Sequence, residues 1–357
     1  MIQVTRTYLP DKERYLNYLN EIWESGWITN NGPLVLKLEE NLRSILKVKN
    51  LYYLNNGTIA LQIAIKALNI TKEIITTPFS YVATTNAIIW ENCKPVFVDI
   101  NSSDYNIDIA QIENRISENT EAILATHVFG NPCNVHEIGS IAKKYNLKVI
   151  YDAAHAFGVT YNKKSLLSYG DISACSFHAT KLFHTAEGGA IICNDTELNK
   201  KVYLMRQFGH IGDEYFSVGI NGKASELHAA MGLCLLEDLD HIFDSRKKVI
   251  EFYNNHLNIK KVGLPIPLQS TENNYAYYPI VFPSEGILNT VNEQLNKENI
   301  FPRRYFYPSL NKLPFLDEQM KCPVSESISS RILCLPLSTY LTEEQLLKII
   351  KIINKIL

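Results

Sequence analysis

Two side chains, Lys181 and Asp152, are of types that together can support covalent amine chemistry. Lys181 lies in a short polar segment, and two glycines follow it at residues 188–189. Asp152 comes directly after the apolar run at residues 149–151, which is typical of a strand end. A lysine amine can form a Schiff base with a carbonyl carbon, and a carboxylate can hold a protonated pyridine nitrogen. Because pyridoxal 5'-phosphate (PLP) needs both partners, the pair predicts a PLP site in which Lys181 and Asp152 are catalytic.

Five further residues could hold the rest of such a cofactor. Gly57 and Thr58 begin a predicted helix, where free N–H groups favour a phosphate. Ser176 could add a hydroxyl to the same phosphate, and Tyr81 could stack on a flat ring. His155 could hydrogen-bond the phenolic oxygen of the ring. Taken singly, each has an ordinary alternative as a helix N-cap, a strand-end serine, a core aromatic or a structural histidine.

The composition favours a globular enzyme. The 357 residues are 46% hydrophobic and 20% charged, and a net charge of -2 offers no strong field for nucleic acid or anionic lipid. No apolar run approaches the length of a membrane span, and the N-terminus has no apolar core of a secretory signal. The seven cysteines contain no C-x-x-C spacing, so we expect reduced thiols, a cytoplasmic location and no metal site.

Helical and strand patterns alternate from about residue 34, which predicts an α/β fold with a mostly parallel sheet. The predicted helices and strands of this region cover residues 34–46, 58–68, 73–77, 80–90, 95–99, 122–127, 135–145 and 147–151. Ligands of such sheets bind beyond the carboxyl ends of the strands. Asp152, His127 and residues 77–78 are therefore expected on the same side of the sheet.

The pattern changes near residue 245, where a long connecting helix is predicted over 245–257. A strand at 277–282, a helix at about 287–298 and a terminal helix from Thr342 follow it. We therefore predict a large cofactor-binding domain with an N-terminal arm at residues 1–245 and a smaller α+β domain at residues 246–357.

Seven stretches together resemble one family over nearly the whole chain, the DegT/DnrJ/EryC1/StrS family of PLP-dependent sugar aminotransferases. They lie at residues 30–33, 56–61, 77–84, 127–130, 152–155, 180–190 and 221–226. Singly most are weak signals, but their order and spacing make the resemblance specific.

The resemblance implies a fold like that of aspartate aminotransferase, the type I PLP-dependent fold. It implies a homodimer whose active sites lie at the subunit interface. It implies for Lys181, Asp152 and the five further cofactor residues the same roles that are described above. It also implies that Asn221 contacts the phosphate from the neighbouring subunit. It also places Tyr305 and Tyr307 near the pocket for a nucleotide-linked sugar.

The chain departs from the family pattern at two places. It has His-Ala-Thr-Lys-Leu at residues 178–182, where the family often has Tyr-Pro-Thr-Lys-Asn, and Asn-Gly-Lys at 221–223, where Asn-Tyr-Arg is commoner. The first sequence, together with residues 27–33, resembles the viosamine-forming branch, which aminates a dTDP-linked 4-keto-6-deoxyglucose at C4. Thr29, Asn30 and His178 are accordingly expected to contact substrate.

The expected activity is a ping-pong transamination from L-glutamate to this sugar, with Lys181 carrying the proton, for O-antigen or another surface glycan. An aminotransferase for a UDP-linked 4-keto-6-deoxy-N-acetylhexosamine remains an alternative. So does a non-enzymatic PLP-binding regulator, although no basic DNA-binding segment is evident. Lys181 argues against a sugar dehydratase, since those relatives carry histidine at this position. The lack of G-x-G-x-x-G after any strand argues against a nicotinamide enzyme.

Overall fold

A seven-stranded sheet lies at the centre of the computed structural model, which describes residues 1–316 and 320–357. The strands of the described residues are β1 (Ile2–Gln3), β2 (Asn50–Leu54), β3 (Glu73–Thr76), β4 (Lys94–Phe97), β5 (Thr120–Thr126), β6 (Lys148–Asp152), β7 (Thr160–Tyr161), β8 (Lys164–Ser165), β9 (Ile172–Ser176), β10 (Gly189–Cys193), β11 (His210–Ile211), β12 (Glu214–Tyr215), β13 (Thr271–Glu272), β14 (Pro279–Val281), β15 (Ile300–Phe301) and β16 (Ile332–Cys334).

Helices cover both faces of this sheet. The α-helices of the described residues are α1 (Lys12–Ser25), α2 (Pro33–Leu46), α3 (Gly57–Ala67), α4 (Val82–Trp90), α5 (Ile109–Ile112), α6 (Val135–Tyr145), α7 (Thr196–Met205), α8 (Glu226–Glu237), α9 (Leu239–His256), α10 (Glu285–Lys297), α11 (Pro323–Arg331) and α12 (Glu343–Ile356). None of the helices described is long and apolar enough to cross a membrane.

The central sheet has the strand order β2-β10-β9-β6-β5-β3-β4. Its pairings are parallel from β4 through β3, β5 and β6 to β9, and antiparallel where β10 meets β9 and β2. The prediction of an α/β fold with a mostly parallel sheet is confirmed. Because β9 and β10 are antiparallel neighbours, the chain between them turns back at the carboxyl end of β9, and Lys181 lies in that turn.

Neighbouring residues of the buried strands face opposite layers of core. Ile123 and Tyr151 belong to the layer under α2 and α8, whereas Leu124 and Ile150 belong to the layer under α3 and α4. A strand that is covered on both faces needs this continuous apolar sequence instead of alternation. The same architecture places the polar residues that follow each strand at one edge of the sheet.

The C-terminal part contains its own apolar cluster around α10, α12 and the antiparallel pair β14–β16. Helix α9 contributes to two clusters, with Ile242 in the core of the large sheet and Tyr253 in the C-terminal cluster. The predicted division after residue 245 falls inside this helix and stays a prediction. Strand β1 pairs in parallel with β15, so the start of the chain packs against its C-terminal part.

Two predicted helices have different bounds in the structure. The helix predicted over 80–90 begins at Val82, because Tyr81 is extended (φ -72°, ψ 145°) and Ser80 is engaged in side-chain hydrogen bonds. The helix predicted over 245–257 begins at Leu239, since Asp238 alone separates α8 from α9. The other predicted helices and strands before residue 151 match observed elements to within about two residues.

Candidate active site

A cavity of about 270 Å³ lies at the carboxyl end of the central strands. Nine of the residues that the sequence predicted for the site line it. They are Gly57, Thr58, Tyr81, Asp152, His155, Ser176, His178, Lys181 and Tyr305. The structure therefore brings together residues that are up to 248 positions apart (57 to 305) in one enclosure.

Lys181 lies in the turn between β9 and β10, where its N–H donates to the His178 carbonyl at 2.8 Å. Its Nζ donates to the Tyr277 hydroxyl at 3.4 Å. Burial lowers the pKa of Lys181 to about 8, although the Asp152 carboxylate opposes that shift. After the turn, Gly189 lets the start of β10 approach α3, because a Cβ there would lie 2.6 Å from the Gly57 nitrogen. The amine is thus held where its neutral form is accessible near neutral pH.

Asp152 ends β6 as a carboxylate that is only 5% exposed. Its Oδ2 accepts a hydrogen bond from the Thr84 hydroxyl at 2.6 Å, and its Oδ1 accepts from the Ala154 N–H at 3.1 Å. Burial raises the pKa of Asp152, whereas these donors and the Lys181 charge lower it. A buried carboxylate of this kind calls for a cationic or N–H partner.

The N-terminus of α3 forms the opposite wall of the cavity. Asn56, and not Thr58, is the N-cap, since the Asn56 side chain accepts from the Ile59 N–H at 2.8 Å. The N–H groups of Gly57 and Thr58 have no partner inside the helix. A Cβ on Gly57 would lie 3.1 Å from the Cys175 carbonyl oxygen, so glycine permits the close approach of α3 to β9. With the Ser176 hydroxyl, this wall has the donors that a phosphate requires.

Aromatic side chains form the remaining walls. The His155 ring stacks on Phe306 at a centroid distance of 5.7 Å, and its Nδ1 accepts from the Phe129 N–H at 3.2 Å. Burial holds the pKa of His155 well below its usual value, so the ring is neutral and carries its proton on Nε2. Tyr81 is 56% exposed on the cavity wall, which is not the position of a core aromatic.

The predicted sugar contacts divide between two adjoining cavities. His178 is exposed at the rim of the main cavity, with its Nε2 3.6 Å from a Glu187 carboxylate oxygen. Tyr305 lines both cavities, whereas Tyr307 lines only the second, which has a volume of about 130 Å³. The Arg304 guanidinium lies over the Tyr307 ring at 3.6 Å.

Three predicted contacts, Thr29, Asn30 and Asn221, do not line either cavity. They lie near one another instead, around Gln207. Asn221 forms an isolated antiparallel β-bridge with Gln207, and the side-chain amide of Asn31, which follows Thr29 and Asn30, donates to the Gln207 side-chain oxygen at 3.2 Å. His127 also lies outside the lining, since its ring stacks on Tyr151 at 4.4 Å and accepts from the Cys133 N–H. Sharing an edge of the sheet was therefore not sufficient to bring His127 into the site.

Comparison with known protein families shows which family this chain belongs to. The model of the DegT/DnrJ/EryC1/StrS aminotransferase family matches residues 10–354. The chain belongs to this family. Its predicted family is thus confirmed, and the protein is an aminotransferase.

Relatives of known activity and structure share almost the whole length of this aminotransferase. It is similar to the dTDP-4-amino-4,6-dideoxy-D-glucose transaminase of Shigella dysenteriae, with 43% identity over 99% of each chain. The Escherichia coli protein of the same name is 40% identical over 99% of this chain and 98% of its own. The crystal structure of DesI in the presence of its TDP-sugar product superposes with a TM-score of 0.94, at 29% identity, over 99% of this chain and 92% of that one. The predicted fold class is confirmed.

Several residues of this aminotransferase site were missed by sequence reasoning. Tyr277 accepts from Lys181 and stands in none of the seven stretches, whereas Thr84 donates to Asp152 and ends the stretch 77–84 without having been assigned a role. Arg303 lines both cavities and contributes to lowering the pKa of Lys181. The only available signal for Arg303 was its place two residues before Tyr305.

Proposed function

We propose that this aminotransferase uses PLP to transfer the amino group of L-glutamate to dTDP-4-keto-6-deoxy-D-glucose. The product is dTDP-4-amino-4,6-dideoxy-D-glucose. The observation that carries the proposal is the enclosure of Lys181, Asp152 and the first turn of α3 in one cavity. The donor set of this cavity suits PLP, because it offers an amine, a buried carboxylate and a group of N–H and hydroxyl donors.

Lys181 is proposed to carry the reacting proton. When bound, PLP supplies an aldehyde for the lysine amine and a ring that withdraws electrons from the substrate carbon. The neutral Nζ takes the proton from the amino-acid Cα and later delivers a proton to the sugar carbon. A pKa of about 8 makes this exchange accessible near neutral pH, since both protonation states of Lys181 are populated there.

The other residues are proposed to hold and polarise the cofactor. Asp152 pairs with the ring N–H, Tyr81 covers one ring face, and the Nε2–H of His155 donates to the ring oxygen. The donor role of His155 is supported by its Nδ1, which is already occupied by the Phe129 N–H. Gly57, Thr58 and Ser176 bind the phosphate, and no residue of the set calls for a metal ion.

The dTDP sugar is proposed from the two relatives that are named for the same product and are at least 40% identical. His178 and Tyr305 in the main cavity and Tyr307 in the second cavity are the proposed sugar contacts from this chain. The product, viosamine linked to dTDP, would supply O-antigen or another surface glycan. The seven cysteines are all buried and free, which supports a cytoplasmic enzyme.

A homodimer with shared active sites is proposed from the position of Thr29, Asn30 and Asn221. They cluster outside the cavity of their own chain, in a region rich in exposed apolar side chains. These side chains are Trp27, Ile28, Phe208, Ile211, Tyr215, Phe216, Val218 and Ile220. Such a patch is typical of a subunit interface. Across a two-fold axis, Asn221 would complete the phosphate site of the partner and Thr29 and Asn30 its sugar site.

An amino-transfer assay with a panel of substrates tests the proposed function. The purified protein with PLP and L-glutamate would be offered dTDP-, UDP- and GDP-linked 4-keto-6-deoxy sugars, including the UDP-linked N-acetylhexosamine. Mass spectrometry and NMR would identify the products. We expect the dTDP sugar to be aminated at C4 with formation of 2-oxoglutarate. Turnover of the UDP sugar alone would refute the dTDP sugar as substrate, but it would still support the proposed transaminase activity.

Lysine variants provide the matched control for this assay. Lys181→Ala should lower the rate by about 10⁴-fold or more, because it removes both the Schiff-base amine and the proton carrier. Lys260→Ala, at an exposed lysine remote from the cavity lining, should leave the rate unchanged. Full activity of the Lys181→Ala protein would refute the mechanism.

A further inference from the structure

Three buried hydroxyl groups form a continuous hydrogen-bonded chain that ends on Asp152. The Thr126 hydroxyl donates to Ser80 Oγ at 2.9 Å, Ser80 Oγ lies 2.7 Å from Thr84 Oγ1, and Thr84 Oγ1 donates to Asp152 Oδ2 at 2.6 Å. All three residues are at most 3% exposed. Thr126 and Asp152 also lie opposite each other on the neighbouring strands β5 and β6.

The direction of every proton in this chain follows from hydroxyl chemistry. An ionised carboxylate only accepts, so the single proton of Thr84 points to Asp152. Thr84 then has only acceptor capacity left for Ser80, and Ser80 must use its own proton to donate to it. Thr126 donates to Ser80 in the same sense. The three O–H dipoles are therefore aligned with their positive ends toward the carboxylate, and each polarises the next.

We propose that Thr126, Ser80 and Thr84 are positioning residues that keep Asp152 ionised and oriented for the pyridine nitrogen of PLP. This inference rests on the proposed PLP site. The chain links β5, the segment before α4, α4 itself and the end of β6, so it fixes the carboxylate relative to three elements. In this arrangement Asp152 does not depend on the cofactor alone to satisfy its buried charge.

The electrostatic surroundings of Asp152 support this role. Burial raises its pKa, and the Thr84 hydrogen bond is the largest influence that lowers it, ahead of the Ala154 N–H and the Lys181 charge. The charge of Asp152 also interacts with the Cys175 thiol and the Tyr277 phenol. Burial raises the pKa of both groups, so both are neutral near pH 7 and Lys181 is the cation facing the carboxylate.

The neighbouring residue Thr85 offers a matched control. It follows Thr84 on α4 and is fully buried, but its hydroxyl has no hydrogen-bond partner among residues 1–316 and 320–357. Thr84→Val and Thr85→Val therefore make the same chemical change one residue apart. Only the first breaks a bond to the carboxylate. Thr84→Ser retains that bond and should rescue the loss.

The experiment measures the PLP dissociation constant and the pH at which the absorbance of bound PLP changes. Thr84→Val should weaken PLP binding by about ten- to hundredfold, the effect of losing one hydrogen bond to a charged group. It should also move the absorbance midpoint to higher pH. A less well-stabilised Asp152 holds less positive charge on the ring nitrogen, so the Lys181 nitrogen retains its own proton to higher pH. The PLP dissociation constant of Thr84→Ser should stay within a few-fold of that of wild type. Thr85→Val should have the affinity and the midpoint of wild type.

Each outcome decides the proposal. A folded Thr84→Val protein with the affinity and midpoint of wild type would overturn the hydroxyl chain while leaving the proposed function intact. Equal shifts in Thr84→Val and Thr85→Val would overturn it as well, because packing alone would then explain them. If Thr84→Val does not fold, the Ser80→Ala variant tests the proposal instead. Loss of the Ser80 donation to Thr84 should shift the affinity and the midpoint less, but in the same direction. The absence of any shift in Ser80→Ala would refute the hydroxyl chain. A wild-type protein that binds no PLP would refute both proposals.

Discussion

At the scale of single residues, burial acts in opposite directions on the two charged groups of the site. Withdrawal from water disfavours the charged form, so it raises the pKa of Asp152 and lowers that of Lys181. The attraction between the two groups opposes both shifts. The carboxylate keeps additional donors in Thr84 and Ala154, whereas the amine has the Tyr277 hydroxyl as its one hydrogen-bond partner in the described part of the chain. The hydrogen-bond donors therefore offset part of the burial effect on the pKa of Asp152, whereas the lysine is left easy to deprotonate.

This asymmetry predicts the pH dependence of PLP capture by the apoprotein. Only the neutral amine attacks the aldehyde. Since the pKa of Lys181 is lowered to about 8, the capture rate should rise with pH up to about 8 and then level off. An ordinary lysine, with a pKa near 10.4, would give a rate that keeps rising. Stopped-flow absorbance between pH 6 and 10 would measure the profile.

Asp152→Asn gives the internal test of that prediction. The Asp152 charge favours the ammonium form of Lys181, so its removal should move the plateau to lower pH. A rate that still climbs between pH 9 and 10 in wild type would contradict the assignment of the lowered pKa to Lys181.

The sequence was sufficient to predict the residues that stand beside local signals. Lys181 and Asp152 were predicted because glycines or an apolar strand flank them, and Gly57 because it begins a helix. Thr84 could not be predicted as a partner of Asp152, because the two are 68 residues apart and meet only through the order of the strands. Arg303 likewise approaches the cavity only through the packing of the C-terminal part on the sheet.

At the scale of elements, a buried ion pair fixes the base of the segment that carries Asn221. Arg206 and Glu39 are 1% and 3% exposed, and they pair directly between the end of α7 and α2. Glu39 also accepts from the Tyr53 N–H at 2.8 Å, and the Arg206 carbonyl accepts from the Gly222 N–H at 2.9 Å. The pair therefore ties α2, β2 and α7 to the two ends of the segment 206–222.

We expect Arg206→Met to lower the free energy of unfolding by about 3–5 kcal/mol, because it leaves the Glu39 carboxylate buried without a cation. Urea unfolding followed by circular dichroism would measure the loss. Lys297→Met is the control, since its pair with Glu293 is exposed to solvent and contributes little to the free energy of unfolding. The double variant Arg206→Met with Glu39→Met should recover part of the loss. A change of less than about 1 kcal/mol in Arg206→Met would contradict the anchoring role.

The elements themselves were largely predictable, but their arrangement was not. The helix at 58–68 and the strand at 73–77 follow from local periodicity and from the Pro78 that ends the strand. The reversal of β10 between β2 and β9 depends on contacts between distant strands, which periodicity does not record. The early start of α9 at Leu239 was also missed, because Asp238 alone separates its first turn from α8.

At the scale of the whole molecule, the proposed dimer requires each active site to combine residues of two chains. Lys181 would come from one subunit and Asn221 from the other. Two variants that are defective in different parts of the site should therefore complement each other. Lys181→Ala removes the amine, and Asn221→Asp sets a carboxylate against the phosphate, so each pure dimer should be nearly inactive.

In a mixed dimer of these variants, one site carries both defects and the other carries neither. Random reassociation of equal amounts makes half of the dimers mixed, so we expect roughly a quarter of wild-type activity after unfolding and refolding together. The proteins refolded separately and then combined provide the baseline, and light scattering gives the molecular mass of each sample. If Lys181 and Asn221 acted within one chain, every mixed dimer would contain two defective sites and mixing would restore nothing. Recovery of activity by a protein of monomer mass would equally contradict the shared site.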